Sequence, residues 1–227
     1  MESIQHILET VSKSSVAARA LTLEQKKKIL TRLAVLLTEN TETIIRENKK
    51  DLDKMEDSNP KKDRLLLNAE RIKGLADSLH DVMKLDDPAG KVLIDNNTPN
   101  GLHIQKITVP IGVVGVIYEA RPNVTIDVAA LCLYAGNAVV LRGGSDAEYT
   151  NEILVSIIHQ ALRENMVPEA VVALLPVDRK FVKELLEAVK YVDIIIPRGS
   201  HQFIDFVRAN SKVPTIETGA GVCHTYV

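Results

Sequence analysis

The stretch Val109–Ala147, VPIGVVGVIYEARPNVTIDVAALCLYAGNAVVLRGGSDA, decides the fold that this sequence predicts. Its first apolar run, Gly112–Tyr118, is rich in β-branched residues and almost free of polar side chains, which is typical of a parallel strand covered on both faces. A second apolar strand is predicted over Ala138–Leu141. Between them, Val124–Tyr134 is predicted to form a buried helix, so the stretch makes a βαβ unit.

The turns of this unit contain its polar residues. Pro122 ends the first strand because proline cannot donate to a ladder and disfavours helix at the residue before it. Asn123 is then placed to cap the helix. The second strand runs into Arg142–Asp146, a glycine-rich turn whose Ser145 and Asp146 can cap the next helix. Because such units bind ligands at the carboxyl ends of their strands, we expect the functional site at these turns.

The alternation of helices and strands continues after this stretch. The predicted elements are the helix Ala147–Asn165, the strand Val171–Leu175, the helix Arg179–Val189, the strand Val192–Pro197, the helix Ser200–Ala209, the strand Pro214–Ile216 and a terminal strand within Gly219–Val227. Strands separated by helices imply right-handed crossovers and a parallel sheet. The predicted fold class is therefore α/β, a Rossmann-like parallel sheet with flanking helices.

The N-terminal part has another pattern. Residues 3–85 are charged and helical in period, with Thr22 as a predicted cap and Ala69–Met83 as the third helical stretch. Lys91–Asp95 and Leu102–Val109 then alternate around an Asn100-Gly101 corner, which predicts a protruding β-hairpin. A two-stranded ribbon is marginal alone, so it must lie on the body of the protein or pair with another strand or subunit.

The composition argues against several function classes. The chain has 28 Lys and Arg against 30 Asp and Glu, a net charge of -2, and no Trp, so we expect no nucleic-acid partner. No apolar run approaches the roughly 18 residues of a membrane span, so we expect a cytoplasmic protein without a membrane partner. Cys132 and Cys223 predict neither a disulfide framework nor a metal site. Cys223 and His224 are not a catalytic pair, because adjacent strand residues face opposite sides.

Two turns are candidate phosphate sites, Arg142–Ser145 and Arg198–Ser200, although both common nucleotide fingerprints are absent. Glycine in such turns can also be turn chemistry alone. Arg142 is more informative, because a guanidinium at the end of an interior strand is costly unless it meets an anion or solvent. Asn123 can be a helix cap or an amide that donates to an oxyanion. Glu217 can be a base in a cleft or a surface carboxylate.

Essentially all of the chain resembles the gamma-glutamyl phosphate reductase (glutamate-5-semialdehyde dehydrogenase) family within the aldehyde dehydrogenase superfamily. The resemblance is carried by Ile111–Ala147, by IIPRGSHQFIDFV at Ile195–Val207 and by VPTIETGAGVCHTYV at Val213–Val227. The motifs EARPNVT and LRGGS are specific to this family. The resemblance implies NADPH-dependent reduction of L-glutamyl 5-phosphate to L-glutamate 5-semialdehyde, with release of phosphate, in proline biosynthesis.

The resemblance also implies roles for individual residues. Asn123 falls where the superfamily places its oxyanion amide, Arg142 where a residue holds the adenosine ribose, and Glu217 where hydrolytic members have a base. An arginine at the ribose is compatible with the 2′-phosphate of NADP(H). The other implied cofactor-binding residues are Glu119, Ala120, Arg121, Gly143, Gly144, Ser145, Pro197, Arg198, Gly199 and Ser200. In this family the nucleophilic cysteine lies beyond the position of Val227, so we expect this chain to bind NADPH without turning over.

The implied organisation has three parts: N-terminal helices of the cofactor domain over residues 1–88, an oligomerisation-type hairpin over 89–110 and a Rossmann-like NADP-binding core over 111–227. The resemblance further implies a homo-oligomer at full length and glutamate 5-kinase as a functional partner. Two alternatives stay open. One is a naturally short, non-catalytic nucleotide-binding or interaction module of the same fold. The other is an aldehyde dehydrogenase relative that oxidises a free aldehyde, against which EARPNVT and LRGGS argue.

Overall fold

The computed structural model describes residues 3–119 and 121–217. Its α-helices are α1 (Gln5–Arg19), α2 (Leu23–Glu39), α3 (Thr41–Leu52), α4 (Lys61–Leu65), α5 (Ala69–Val82), α6 (Asn123–Tyr134), α7 (Glu148–Glu164), α8 (Lys180–Leu186) and α9 (His201–Asn210). Its strands are β1 (Val92–Asn97), β2 (His103–Ile107), β3 (Val113–Tyr118), β4 (Ala138–Arg142), β5 (Val172–Leu174) and β6 (Ile194–Arg198). Ala120, the Cys223–His224 pair and the predicted terminal strand within Gly219–Val227 lie outside the described residues.

Four parallel strands form the main sheet in the order β5-β4-β3-β6. Every residue of β3 is buried, which confirms the prediction of an interior parallel strand. The predicted strand Pro214–Ile216 is reduced to a single parallel bridge between Thr215 and Ile195. The sheet grows from β3 towards β4 and β5 on one side and to β6 on the other. The point where the strand order reverses, at which α/β sheets bind ligands, therefore lies between β3 and β6.

The N-terminal helices pack on the helices of the sheet. Helix α2 contacts α5, α6 and α7, and its apolar stripe is buried. The predicted cap of α2 is confirmed as a capping box: the Thr22 Oγ1 accepts from the Gln25 amide at 3.2 Å, and the Gln25 side chain accepts from the Thr22 amide at 2.9 Å. No helix in the described part of the chain is long and apolar enough to cross a membrane.

The predicted cap of α6 is wrong. Asn123 is the first residue of the helix rather than its cap, and no side chain caps the preceding Pro122 position. The Asn123 amide Nδ2 instead donates to Oδ2 of Asp127, one turn later, at 3.4 Å. Pro122 has helical φ and ψ, so the helix begins one residue earlier than the pattern predicted. The Asn123 side chain is thereby directed along the first turn of α6.

The predicted cap of α7 is also wrong. Ser145 and Asp146 form a 3-10 turn and make no capping hydrogen bond. The cap comes from α3: the buried carboxylate of Asp51 accepts from the amides of Tyr149 and Thr150 at 3.3 and 2.8 Å, and from the Thr150 hydroxyl at 2.7 Å. A carboxylate at this helix N-terminus also meets the positive end of the helix dipole. A side chain distant in sequence thus replaces the local cap.

The hairpin of β1 and β2 is antiparallel, and every residue of both strands is exposed. Its corner is as predicted, with Gly101 at a φ of 87°. Several large apolar side chains face solvent, among them Leu93, Ile94 and Ile104, which are 46–58% exposed. The ribbon therefore does not lie on the body of the described part of the chain.

Candidate functional site

The register of the sheet brings the two predicted phosphate turns to one edge. Ile117 of β3 lies opposite Arg142 of β4, and Tyr118 of β3 lies opposite Arg198 of β6. The strands are parallel, so Glu119 and the turns that follow Arg142 and Arg198 emerge side by side. This is the carboxyl edge at the point where the strand order reverses.

Three neighbouring cavities open at this edge. The central cavity, of about 630 Å³, is lined by Lys61, Arg64, Tyr118, Glu119, Arg121, Val124, Arg198, Gly199, Ser200 and Ile204. The Arg142 cavity, of about 550 Å³, is lined by Lys61, Ile117, Tyr118, Glu119, Arg142, Gly144, Ser145, Asp146, Val177, Arg179, Val182, Lys183, Phe203 and Phe206. The Asn123 cavity, of about 450 Å³, is lined by Asp63, Arg64, Leu66, Leu67, Arg71, Gly74, Leu75, Ser78, Arg121, Asn123 and Asp127.

The central cavity is suited to anions. Four cationic side chains line it against one carboxylate, that of Glu119. Ser200 caps α9, since its hydroxyl accepts from the Phe203 amide at 3.3 Å, so the positive end of this helix adjoins the cavity. Because Gly199 has no side chain, Phe203 and Glu119 can lie close to its backbone. A Cβ at this position would lie 3.0 Å from the Phe203 ring and 3.2 Å from the Glu119 carboxyl carbon. The cavity therefore combines positive charge with a helix N-terminus.

The Arg142 cavity contains an incompletely satisfied guanidinium. Arg142 donates from Nη2 to the carbonyl of Val177 at 2.6 Å, but its buried Nε has no partner among the described residues. Burial lowers the pKa of Arg142, the nearby Arg179 cation lowers it further, and Asp178 opposes both. Arg142 and Arg179 repel each other, and an anion between them would stabilise both charges and accept from the buried Nε of Arg142. The same wall contains the apolar and aromatic side chains Ile117, Val177, Val182, Phe203 and Phe206, and it also contains the carboxylates of Glu119 and Asp146.

Gly143 has a packing role beneath this turn. A Cβ on Gly143 would lie 2.2 Å from Nδ2 of the buried Asn151. The Asn151 carbonyl oxygen accepts from the Thr125 hydroxyl at 2.8 Å, and the Thr125 oxygen is hydrogen-bonded to the Tyr118 hydroxyl at 2.6 Å. Asn151 is therefore held in place and has little freedom to make room for a methyl group.

Replacement of Gly143 by alanine is expected to lower the free energy of unfolding by about 2 kcal/mol, because the methyl group overpacks this contact. Gly74→Ala is the matched control, since nothing lies within 4 Å of a Cβ there and Gly74 is inside α5. That variant should be more stable than wild type by up to about 1 kcal/mol. Urea unfolding measures both. Wild-type stability of Gly143→Ala would contradict the packing role.

The Asn123 cavity contains the candidate oxyanion amide. The Asn123 Nδ2 donates to Oδ2 of Asp127 at 3.4 Å, and this hydrogen bond orients the amide. Oδ1 of Asp127 accepts from the Ser78 hydroxyl at 3.1 Å. Burial raises the pKa of Asp127, and the two hydrogen bonds oppose that rise. An amide nitrogen has two hydrogens, so Asn123 can donate one to Asp127 and the other to a ligand oxygen. The arrangement can polarise a carbonyl group.

Glu217 and Cys132 lie apart from this arrangement. Oε1 of Glu217 accepts from Nε of Arg208 at 2.5 Å, and Glu217 is not among the residues that line the three cavities. Cys132 is buried in α6, and burial raises the pKa of its thiol to about 12. Its thiolate is scarce at neutral pH, and Cys132 is part of the hydrophobic core.

Sequence reasoning missed the residues that other elements add to these cavities. Lys61 and Arg64 belong to α4, in the charged stretch of residues 3–85 for which the sequence predicts helices and no binding site. Nothing local distinguishes them from solvated surface charge. Arg179 and Lys183 come from the start of α8 and share one face of it, four residues apart. That spacing beside a strand end is a signal that could have identified them.

The chain belongs to the aldehyde dehydrogenase family, which it matches over residues 1–220. The resemblance and the α/β fold predicted from sequence are thereby confirmed. A gamma-glutamyl phosphate reductase from Bacteroides fragilis is 49% identical over 221 residues, which are 96% of this chain and 53% of that protein. One from Parabacteroides distasonis is 54% identical over 198 residues, 87% of this chain and 48% of that protein. The chain therefore spans about half the length of the curated relatives it matches.

Solved structures give the same result. The crystal structure of gamma-glutamyl phosphate reductase from Thermotoga maritima has a TM-score of 0.93 and 37% identity, and the match covers 97% of this chain and 54% of that one. A glyceraldehyde-3-phosphate dehydrogenase from Methanocaldococcus jannaschii, in complex with NADP, has a TM-score of 0.74 and 18% identity, over 98% of this chain and 48% of that one. The second likeness shows the fold alone.

Proposed function

We propose that this chain is the cofactor-binding part of an NADPH-dependent gamma-glutamyl phosphate reductase, which reduces L-glutamyl 5-phosphate to L-glutamate 5-semialdehyde and phosphate. The observation that carries the proposal is the set of cationic cavities at the carboxyl edge of the sheet. These cavities lie in a chain that is similar to proteins named gamma-glutamyl phosphate reductase. Asn123 is the proposed oxyanion amide, and Glu217 has no assigned step because an acyl-phosphate reduction needs no activated water.

The side chains that line the cavities suit the chemical groups of the cofactor. The Arg142 cavity offers apolar and aromatic walls for an adenine and the cations Arg142, Arg179 and Lys183 for a 2′-phosphate. The central cavity offers the N-terminus of α9, together with Arg198 and Gly199, for a pyrophosphate. When bound, NADPH supplies the hydride. This chain's residues bind and orient it, and Asn123 donates to the carbonyl oxygen on which negative charge develops.

The nucleophile of this reaction class is a thiolate that takes the acyl group. Cys132 is excluded from that role by its burial and its pKa of about 12, and Cys223 does not match the position that the resemblance implies. We therefore assign the thiolate to the part of the curated relatives that this chain does not span, and we expect no turnover from these 227 residues.

Calorimetric titration of this chain with NADPH and with NADH tests the proposal. We expect NADPH to bind at one site, and more tightly than NADH, because only NADPH has a 2′-phosphate for the cations of the Arg142 cavity. No binding of either dinucleotide would refute the cofactor role. Phosphate-dependent reduction of NADP with glutamate semialdehyde, assayed on the same sample, would overturn the expected lack of turnover.

The proposal extends to partners. The exposed apolar side chains of the β1–β2 hairpin suit a contact between subunits, so we propose a homo-oligomer for the complete enzyme. The proposed substrate is an acyl phosphate, which a kinase acting on the glutamate side chain must supply. Glutamate 5-kinase is therefore the proposed functional partner, and both enzymes would act in the cytoplasm.

A further inference from the structure

Two arginines lie where two of the cavities meet. Arg64, on α4, and Arg121, in the turn after β3, each line both the central cavity and the Asn123 cavity. Among the described residues, no other residue is shared by these two linings. The two guanidinium groups therefore stand between the space proposed for the cofactor and the space that contains the Asn123 amide.

Both of these arginines are exposed. Within residues 3–119 and 121–217, neither guanidinium has a hydrogen-bond or ion-pair partner. Arg71, the third arginine at the Asn123 cavity, is different: it donates to the carbonyl of Leu66 at 2.9 Å and to the Asp63 carboxylate at 2.8 Å. Arg71 braces the segment between α4 and α5, whereas Arg64 and Arg121 can bind a ligand.

We propose that Arg64 and Arg121 bind the phosphate group of the acyl-phosphate substrate and the phosphate ion that leaves. This inference rests on the proposed function and reassigns Arg121, which the resemblance gave to the cofactor. A planar guanidinium can hold two phosphate oxygens at once, so a pair of arginines suits a dianion better than isolated ammonium groups.

The position of Asn123 supports this assignment. In an acyl phosphate the carbonyl carbon is bonded directly to a phosphate oxygen, so a phosphate must lie next to the carbonyl that the Asn123 amide polarises. When a thiolate forms the new carbon–sulfur bond, the carbon–oxygen bond breaks and phosphate departs with its electron pair. The negative charge then increases on the leaving phosphate, where two unpaired guanidinium groups stabilise it.

Titration of the NADPH-saturated chain with inorganic phosphate, followed by calorimetry and by ³¹P NMR line width, tests the inference. Bound NADPH fills the anion sites of the Arg142 cavity and of the α9 N-terminus, so the remaining phosphate site is the proposed one. We expect one site, weakened at least tenfold by Arg64→Gln and by Arg121→Gln. Arg46→Gln is the control, since Arg46 is an exposed cation of α3 that lines none of the three cavities.

Each outcome bears on the inference. The inference is supported if Arg64→Gln and Arg121→Gln lose phosphate binding but keep the NADPH affinity and the urea midpoint of the wild-type chain. Absence of phosphate binding to the wild-type chain, or equal binding by the variants and the control, overturns it. If Arg121→Gln loses NADPH affinity together with phosphate binding, Arg121 binds the cofactor, and the inference is also overturned. If wild type binds no NADPH, the proposed function fails separately, and phosphate titration in an Arg179→Gln background still measures the effect of Arg64 and Arg121.

Discussion

Replacement of Asp51 by alanine is expected to lower the free energy of unfolding by about 3 kcal/mol, the largest effect of any substitution considered for this chain. The Asp51 carboxylate is fully buried and accepts from two amides and one hydroxyl at the start of α7. Its removal leaves the two buried donors of Thr150 and the partly buried amide of Tyr149 without a charged acceptor. It also removes the ion pair with Lys54, whose Nζ lies 3.4 Å from Oδ1.

Urea unfolding measures the loss of stability in Asp51→Ala, which is compared with the loss on replacing a nearby aspartate. Asp53→Ala is the control, because the Asp53 carboxylate is exposed and pairs with Lys49, four residues earlier, and with no other cation among the described residues. We expect that control to change stability by less than about 0.5 kcal/mol. Asp51→Asn keeps one acceptor oxygen and should recover part of the loss. A cost for Asp51→Ala no greater than that of the control would show that α7 does not depend on this cap.

Arg142→Gln and Arg179→Gln are each expected to weaken NADPH binding about ten- to hundredfold and to leave NADH binding nearly unchanged. Under the proposed function, both guanidinium groups bind the 2′-phosphate, which NADH lacks. A hydrogen bond to a charged group contributes about 1.5–3 kcal/mol, and about 1.4 kcal/mol corresponds to a factor of ten in affinity. Glutamine removes the charge and retains polar volume.

Calorimetry with both dinucleotides measures this selectivity. Lys180→Gln is the matched control, since Lys180 is an exposed cation next to Arg179 that does not line the Arg142 cavity. Arg142 also donates to the Val177 carbonyl, so unfolding of Arg142→Gln should be compared with that of Arg179→Gln to separate stability from binding. Equal losses for NADPH and NADH would contradict a 2′-phosphate contact.

Much of the main sheet could be predicted because its signals are local. The apolar runs that became β3 and β4 have no other way to bury so much β-branched surface. Pro122 and the glycine turn after Arg142 mark where those strands stop. The strands run parallel, so both predicted phosphate turns had to emerge at the same edge, and the structure places them there.

The cofactor-side cavities could be predicted only in part. Arg142 is the last residue of β4 and Arg198 is the last residue of β6, and the alternation of strands and helices predicts their place at the edge of the sheet. Arg64 comes from a helix of five residues in a polar run, whose pattern equally fits a solvated surface. Charge on a short helix gives no sign of what it faces, because that depends on how α4 packs beside the turn after β3.

The sequence by itself therefore determined the α/β fold, the edge of the sheet that carries the site, and the family. Hydrophobic periodicity, proline and glycine determine strands, helices and turns through interactions within a few residues. These signals are therefore present in a single sequence. Only the tertiary structure decided that Asp51 caps α7 from 98 positions away and that Arg179 stands beside Arg142. The partner of a polar side chain is set by packing between distant segments, and no local pattern records it.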